Sequence, residues 1–295
     1  MSEPSTTPVA VTGATGRLGG RVARLLADVG TPLRLLVRDP ARAPELPDAT
    51  VHAAPYADSD AVTEALAGVD VLFMVSASES EDRQAEHEAF VAAAARAGVG
   101  HVVYTSFLGA SPEATFTLAR THAATEVDLA ASGMDYTFLQ DSFYMDLARA
   151  VVGEDGVIRG PAGQGRCAFV AHDDVARTAA TILRDPAPHA GRAYRLTGPE
   201  ALSFEEVARI ISEVEGTGVR FHDETVEEAY QSRKAWNPPA WQADAWVSTY
   251  TAIAAGELDV VSRDIEAVTG VVPMTFREFL QGPGRCCAPG GATRQ

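Results

Sequence analysis

The chain has 295 residues, 46% of them hydrophobic, and carries 24 Lys and Arg against 40 Asp and Glu, a formal charge of -16. This length and balance suit one large α/β domain, or one domain with a smaller lobe. The acidity argues against a phosphate-neutralising face for nucleic acid and against a polybasic membrane patch.

Taken in chain order, PVAVTG (8–13) reads as a strand ending at glycine, and RLGGRVARLLADVG (17–30) as a helix stopped by Gly30. LRLLVR (33–38) is a second strand. SDAVTEALAGV (59–69) is a helix, DVLFMVSA (70–77) a buried strand, DRQAEHEAFVAAAARAGV (82–99) a long Ala-rich helix and HVVYTSF (101–107) a strand. Residues 111–133 read as helical and DYTFLQ (135–140) as a strand. Strands alternating with helices, and apolar on both faces as in VLFMV, predict a doubly wound parallel α/β sheet over 8–150. Beyond Asp141 the pattern loosens. A helix within 169–185 is expected to be capped by Asp173 or Asp174, and RAYRLTG (192–198) is a strand. LSFEEVARIISEVEG (202–216) opens on the capping box Ser203–Glu206, GVRFHD (218–223) is a short strand, and 224–255 is helical around Asn237-Pro238-Pro239. Residues 151–280 therefore predict a smaller α/β lobe, partly interleaved with the sheet domain. Residues 1–7 read as a flexible N-terminus. The Gly/Pro-rich stretch 281–295, holding Cys286 and Cys287, reads as a disordered tail. No metal-ligand spacing of Cys or His appears. No apolar run reaches membrane-spanning length, and MSEPSTTP lacks a leader pattern, so a cytoplasmic protein with no membrane partner is expected.

Gly13, Gly16 and Gly19 form a GxxGxxG turn between the first strand and first helix. In that context glycine permits the tight turn, and the backbone N–H groups of Thr15, Gly16, Arg17 and Leu18 meet a pyrophosphate at the helix start. Arg38 follows the second strand and Arg17 lies in the turn; two guanidiniums suit a 2′-phosphate, which favours NADP(H) over NAD(H). Asp39 is the competing signal, since it can take a ribose hydroxyl or pair with Arg42.

TGATGRLG, VRDPAR, DVLFMVSASES, YTSFLGA, THAATEVDLAASGMDYTFLQDSFYMD and VTGVVPMTFREFL together resemble the NmrA-like branch of atypical short-chain dehydrogenases, and within it bacterial NADPH-dependent quinone oxidoreductases. The resemblance spans about Val9 to Leu280, and the stretch from His122 to Asp146 is its specific part. It implies a Rossmann-like sheet, a small C-terminal lobe, a cleft between them, a small quinone-like substrate and often a homodimer. It also implies a second reading, because some members bind NADP(H) without turnover as redox sensors.

YQSRK, with Tyr230 and Lys234 four apart, matches the Tyr-Lys acid of short-chain dehydrogenases, and Lys234 is the only lysine in the chain. Its place is wrong: it falls in the small lobe, where the same spacing suits any solvated helix face. The helix in the right place, THAATEVDLAASG, holds no YxxxK. In related isoflavone-reductase type enzymes a catalytic lysine precedes the glycine of a GxxYT turn by eleven residues, and counting back from Gly133 gives His122. The resemblance therefore points to His122 as the leading catalytic residue. An absent Tyr-Lys pair also has a chemical reading. A simple ketone is reduced to an alkoxide whose conjugate acid has a pKa of about 16. A quinone is reduced to a phenolate-like oxygen near 10, a difference of about 6 units or about 8 kcal/mol. A delocalised acceptor thus needs only a weak donor such as a histidine or a tyrosine.

Ligands of parallel sheets bind beyond the C-terminal strand ends. That places Ser76, Ala77 and Ser78 against the nicotinamide ribose, Thr105 of the next strand end at the cofactor, Asp58 near the adenine, and Ser106 and Phe107 by the substrate. Phe143, Tyr144 and Met145 form an apolar wall, with the Tyr144 hydroxyl as a second catalytic candidate. Asp141 stands where the family tends to have Asn, and an ionised carboxylate there accepts hydrogen bonds without donating. Two readings follow: a reductase of quinones or quinone-like conjugated carbonyls, extending to a tailoring step on an aromatic secondary metabolite, or a non-catalytic NADP(H) sensor.

Overall fold

The computed structural model describes residues 7–56 and 59–282. Residues 1–6, Asp58 and the tail with Cys286 and Cys287 lie outside the described residues. The elements run β1 (Val9–Thr12), α1 (Arg17–Ala27), β2 (Leu33–Val37), β3 (Ala49–Ala53), α2 (Ser59–Leu66), β4 (Val71–Met74), α3 (Arg83–Ala97), β5 (His101–Phe107), α4 (Thr117–Ala131) and β6 (Asp135–Asp141). There follow α5 (Met145–Ala150), β7 (Val157–Gly160), α6 (His172–Arg184), β8 (Arg192–Leu196), α7 (Phe204–Glu215), β9 (Arg220–Asp223), α8 (Val226–Arg233), α9 (Ala240–Ala254), α10 (Asp264–Thr269) and α11 (Phe276–Gln281). Seven strands pair in parallel in the order β3-β2-β1-β4-β5-β6-β8, and β7 pairs with β9 in a separate parallel ribbon. The chain winds outward from β1 to β3, then restarts at β4 on the other side of β1. This reversal opens a crevice at the C-terminal ends of β1 and β4.

Each central strand feeds two cores, because successive side chains point to opposite faces. Val11, Leu35, Phe73, Val103 and Leu139 pack with α1 and α6. Ala10, Leu36, Leu72, Met74, Val102 and Tyr104 pack with α2, α3 and Leu129 of α4. A third core, including Phe107, Phe116, Phe143, Phe169, Phe204 and Tyr250, ties the strand ends to the lobe of β7, β9, α7, α9 and α11.

The expected strands and helices of the first half are present, with three differences. β3 (ATVHA) is an edge strand with mostly exposed side chains, so it carries no apolar run to read. β4 ends at Met74, which leaves Ser76–Ser78 in a loop. Residues 111–116 are turn, and α4 starts at Thr117. β8 joins the main sheet beside β6. The N-cap of α6 is Ala171, without a side-chain bond, so Asp173 and Asp174 fall in the first turn. There Asp173 pairs with Arg21, while Asp174 accepts the Met274 N–H at 2.9 Å and pairs with Arg177. The Ser203–Glu206 capping box forms as read.

Candidate functional site

The glycine turn fits a pyrophosphate. Gly13 holds φ +62°, in the region that favours glycine, and its carbonyl accepts the Gly16 N–H at 2.8 Å. A Cβ on Gly19 would lie 2.6 Å from the Gly13 carbonyl carbon and from the Thr12 carbonyl oxygen, so α1 can rest on the turn only as glycine. Gly16 caps α1 with no side-chain bond and no acid stands in the first turn. The first N–H groups of α1, from Arg17 and buried Leu18, are thus available to an anion, as is exposed Thr15 beside them. Arg38 is exposed directly after β2. Asp39 is committed elsewhere: its side chain accepts the Ala41 N–H at 3.1 Å and caps the short turn Pro40–Arg42. Arg17 reaches across the crevice to Asp146 at 3.1 Å.

The loop after β4 is pinned by buried side chains. Thr12 Oγ1 accepts the Val75 N–H at 2.8 Å, Thr105 Oγ1 accepts the Ser76 N–H at 2.7 Å, and His87 Nε2 accepts the Ala77 N–H at 2.8 Å. Arg83 Nε donates to the Ala77 carbonyl at 3.0 Å, and the Tyr56 hydroxyl bonds both Thr12 and the Val75 carbonyl. Thr105 therefore shapes the loop from beneath, and the exposed Ser78 is its outermost candidate. Burial, then the Arg83 charge, lowers the His87 pKa to about 3, so this histidine is a neutral acceptor at the loop.

His122 lies on α4, 7% exposed, with both ring nitrogens engaged. Arg83 Nη2 is 2.9 Å from Nε2 and the Tyr104 hydroxyl is 2.9 Å from Nδ1. A guanidinium only donates, so Nε2 accepts, Nδ1 carries the proton, and that N–H donates to Tyr104. Burial, then the charges of Arg83 and His87, hold the His122 pKa well below its ordinary value. Arg83 itself is 3% exposed and further donates to Thr121 Oγ1.

The rings of Phe107, Phe116 and Phe143 meet with centroids 4.9–5.1 Å apart, and Phe107 lies 6.1 Å from the His122 ring. Ser106 faces α4 instead: its hydroxyl donates to Glu126 at 2.5 Å. Met145 is buried under this cluster, its N–H bonded to the Val170 carbonyl at 2.9 Å. Tyr144, at the N-cap of α5, donates to Asp141 Oδ2 at 2.7 Å and stacks on His172 at 3.8 Å. His172 Nδ1 meets Asp146 Oδ2 at 2.8 Å, which joins the Tyr144 stack to Arg17 through one carboxylate. The His172 hydrogen bond, then Arg17 and Arg21, keep Asp146 below the usual carboxylate range. Burial raises Asp141 to about 8 against the opposing Tyr144 bond, so this carboxyl is neutral at pH 7, unlike the ionised group its residue type suggests.

Of the residues singled out in sequence, the structure groups Phe107 and Phe143 with His122, and Tyr144 with Asp141, at the C-terminal ends of β5 and β6. It adds Tyr56, Arg83, His87, Tyr104, Phe116, Asp146 and His172. Arg83 opens α3 directly after the β4 loop, a polar residue starting an Ala-rich helix, which was the available signal. Tyr230 and Lys234 stand apart on α8 and the turn after it. Tyr230 is 36% exposed and donates to Asp244 at 2.7 Å, and Tyr230 and Lys234 line a surface depression of about 430 Å³ with Asn237, Pro238 and Ala243.

Residues 13–186 match the NAD(P)H-binding family. The NAD(P)H azoreductase of Xenophilus azovorans is 33% identical over 92% of this chain and 96% of its own length. Quinone oxidoreductase 2 of Escherichia coli is 33% identical over 92% of this chain and 97% of its own. The structure of that NADPH-dependent enzyme with NADPH superposes with a TM-score of 0.84, at 32% identity, covering 92% of this chain and 98% of that one. The Citrobacter triphenylmethane reductase structure with NADP(H) gives a TM-score of 0.82 at 31% identity, covering 92% and 99%. The chain belongs to the NAD(P)H-binding oxidoreductase family that includes these reductases, as its motifs implied. It is an NAD(P)H-dependent oxidoreductase with a Rossmann-like fold, and among the described residues no helix is long and apolar enough to cross a membrane.

Proposed function

We propose that this protein transfers hydride from NADPH to a quinone or a similarly conjugated acceptor bound among Phe107, Phe116 and Phe143. The observation that carries this reading is the face of α4 nearest these rings. It presents a neutral, fully engaged His122 and no lysine, so this face supplies no proton and suits an acceptor whose reduced oxygen is far less basic than an alkoxide. The relatives named for quinone, azo and triphenylmethane reduction support the same class.

Bound NADPH supplies the hydride. The N–H groups of Thr15, Gly16, Arg17 and Leu18 would hold its pyrophosphate, and Arg38, joined by Arg17 when it leaves Asp146, would hold the 2′-phosphate, for which Asp39 does not compete because it caps a turn. The pinned loop Ser76–Ser78 seats the ribose, with Thr105 holding it from below. The three phenylalanine rings stack against a flat acceptor and exclude water, Met145 backs them, and Ser106 anchors α4 to the strand end. His122 positions Tyr104 through its only N–H, while Tyr144 offers a hydroxyl to the reduced oxygen. An aromatic natural product with a naphthoquinone or anthraquinone nucleus fits the same rings, which would make this a tailoring step.

The test is NADPH oxidation with a panel of benzo-, naphtho- and anthraquinones, beside aliphatic ketones. Turnover of quinones with little or none of ketones is expected. Saturable NADPH binding without turnover of any quinone would instead favour the cofactor-sensor reading.

A further inference from the structure

We propose that Asp141 is the proton reservoir of this site, supplying its carboxyl proton through the Tyr144 hydroxyl to the acceptor atom that hydride transfer leaves negative. This rests on the reductase reading above. The geometry comes first. Asp141 ends β6, is 3% exposed, and touches the Tyr144 hydroxyl with Oδ2 at 2.7 Å. Its Oδ1 is buried without a hydrogen-bond partner. Among the described residues no Arg, Lys or His forms an ion pair with it. A charged carboxylate so placed would be desolvated with Oδ1 unmet, whereas a neutral carboxyl protonated on Oδ2 can donate to the Tyr144 oxygen and leaves Oδ1 only a weak carbonyl acceptor.

The groups that face it are few. Tyr144 comes from the start of α5, and Tyr104 from β5 lies within reach of its charge. Neither is a cation, and both are held protonated by burial. On the far side of Tyr144 lies Asp146, the opposite case, ionised by His172 and Arg17. Two carboxyls five positions apart thus flank one tyrosine, one kept charged and one kept neutral, the pattern that separates an acid from its electrostatic partner. Asp141 acts through Tyr144 and is a positioning residue; Tyr144 makes the contact.

The step balances. The acceptor takes a hydride with its two electrons from the reduced cofactor. For the transfer the 2.7 Å bond reverses: Asp141 Oδ2 carries the proton and donates to the Tyr144 oxygen, which turns the Tyr144 O–H toward the acceptor. The new acceptor O–H forms as the Tyr144 O–H breaks, Tyr144 regains a proton as the Asp141 O–H breaks, and solvent reprotonates the carboxylate. The consequence is selectivity. Quinone and azo acceptors need that proton, whereas a cationic triarylmethane carbon becomes neutral on taking hydride and needs none.

Turnover of a naphthoquinone and of a cationic triarylmethane dye is measured with NADPH for wild type, Asp141→Asn and Tyr144→Phe, from about pH 6 to about pH 10. The wild-type quinone rate is expected to fall above about pH 8, where Asp141 loses its proton. Asp141→Asn and Tyr144→Phe should each lower the quinone-to-dye rate ratio about tenfold or more and remove that alkaline fall. Infrared titration of the cofactor-free wild type should show a protonated carboxyl band lost near pH 8 and missing in Asp141→Asn. This readout needs neither turnover nor a folded variant for the wild-type result. An unchanged ratio and pH profile in Asp141→Asn, or a band that titrates in the ordinary carboxylate range, overturns the proposal. Wild type inactive on both acceptors fails the reductase reading and this assignment with it. Wild type active on both with an indifferent Asp141→Asn fails the assignment alone.

Discussion

Arg83 Nη2 donates to His122 Nε2 at 2.9 Å, and this one bond fixes what His122 can do. A nitrogen that accepts from a guanidinium cannot hold a proton, so the imidazole is neutral and its remaining N–H belongs to Tyr104. The pair joins three elements, α3, β5 and α4, beneath the loop that follows β4.

His122→Phe should therefore keep NADPH binding and lower quinone turnover by roughly tenfold, through misplacement of Tyr104 and α4 rather than loss of a proton. Stability should fall by about 1–3 kcal/mol, since Arg83 and Tyr104 each lose a partner in a buried setting. A histidine that donated protons would hurt weakly oxidising quinones most. The expected ratio of variant to wild type is flat across a series of quinones of graded potential, and a graded ratio would restore the proton-donor role.

Cofactor choice hinges on Arg38, which is exposed after β2 while Asp39 is held by the Ala41 N–H. Arg38→Asp should weaken NADPH by about 1–3 kcal/mol, the size of a charge-assisted hydrogen bond, and leave NADH nearly unchanged. Dissociation constants from titration calorimetry check this, and a wild type that prefers NADH would contradict it.

Gly19→Ala places a methyl 2.6 Å from two backbone atoms of the glycine turn, none of them at the end of a flexible side chain. The turn or α1 must move. NADPH affinity is expected to fall at least tenfold, and the melting transition to reflect a loss of about 1–3 kcal/mol, the usual cost of overpacking. Gly30→Ala is a useful contrast, since there the added methyl meets nothing and only the positive φ is strained.

Much of this was legible in the chain because it is local. HVVYTSF is a fully buried strand, and its expected bounds, 101–107, are those observed. The glycine turn follows from three residues and their flanks. β3 was not legible, as an exposed edge strand lacks an apolar run. The roles of His122 and Asp141 escaped for a different reason. Their positions could be counted, but His122's tautomer depends on Arg83, 39 residues earlier, and Asp141's neutrality depends on how β6 is covered. Burial and partner identity are tertiary properties, so residue type alone suggested a histidine proton donor and an ionised acid.

Tyr230 and Lys234 carry the most recognisable motif and the least expected consequence. Tyr230 is bonded to Asp244 and Lys234 is exposed beyond the end of α8. Tyr230→Phe and Lys234→Ala should each leave quinone turnover within about threefold of wild type, against the hundredfold or more of a lost general acid. A larger loss in a protein that still melts normally would relocate the chemistry to α8.

The stability of the fold should carry the signature of Asp141. Its folded-state pKa, about 8, lies above the ordinary value of 3.8 because burial penalises the charge. The folded state therefore binds a proton that the unfolded chain has released across this window, so the contribution is fully present below about pH 4 and is lost as pH rises through about 8. A shift of about 4 units corresponds to roughly 5 kcal/mol across the window. Asp141→Asn keeps the shape and cannot ionise, so its stability should lack this slope. The difference in unfolding free energy, measured by denaturant titration at about pH 5, pH 7 and pH 9, should move steadily in favour of the asparagine variant and level off above about pH 8. A difference that stays constant with pH would mean that the carboxyl is already ionised in the folded protein at pH 5, and the neutral-acid description of Asp141 would fail.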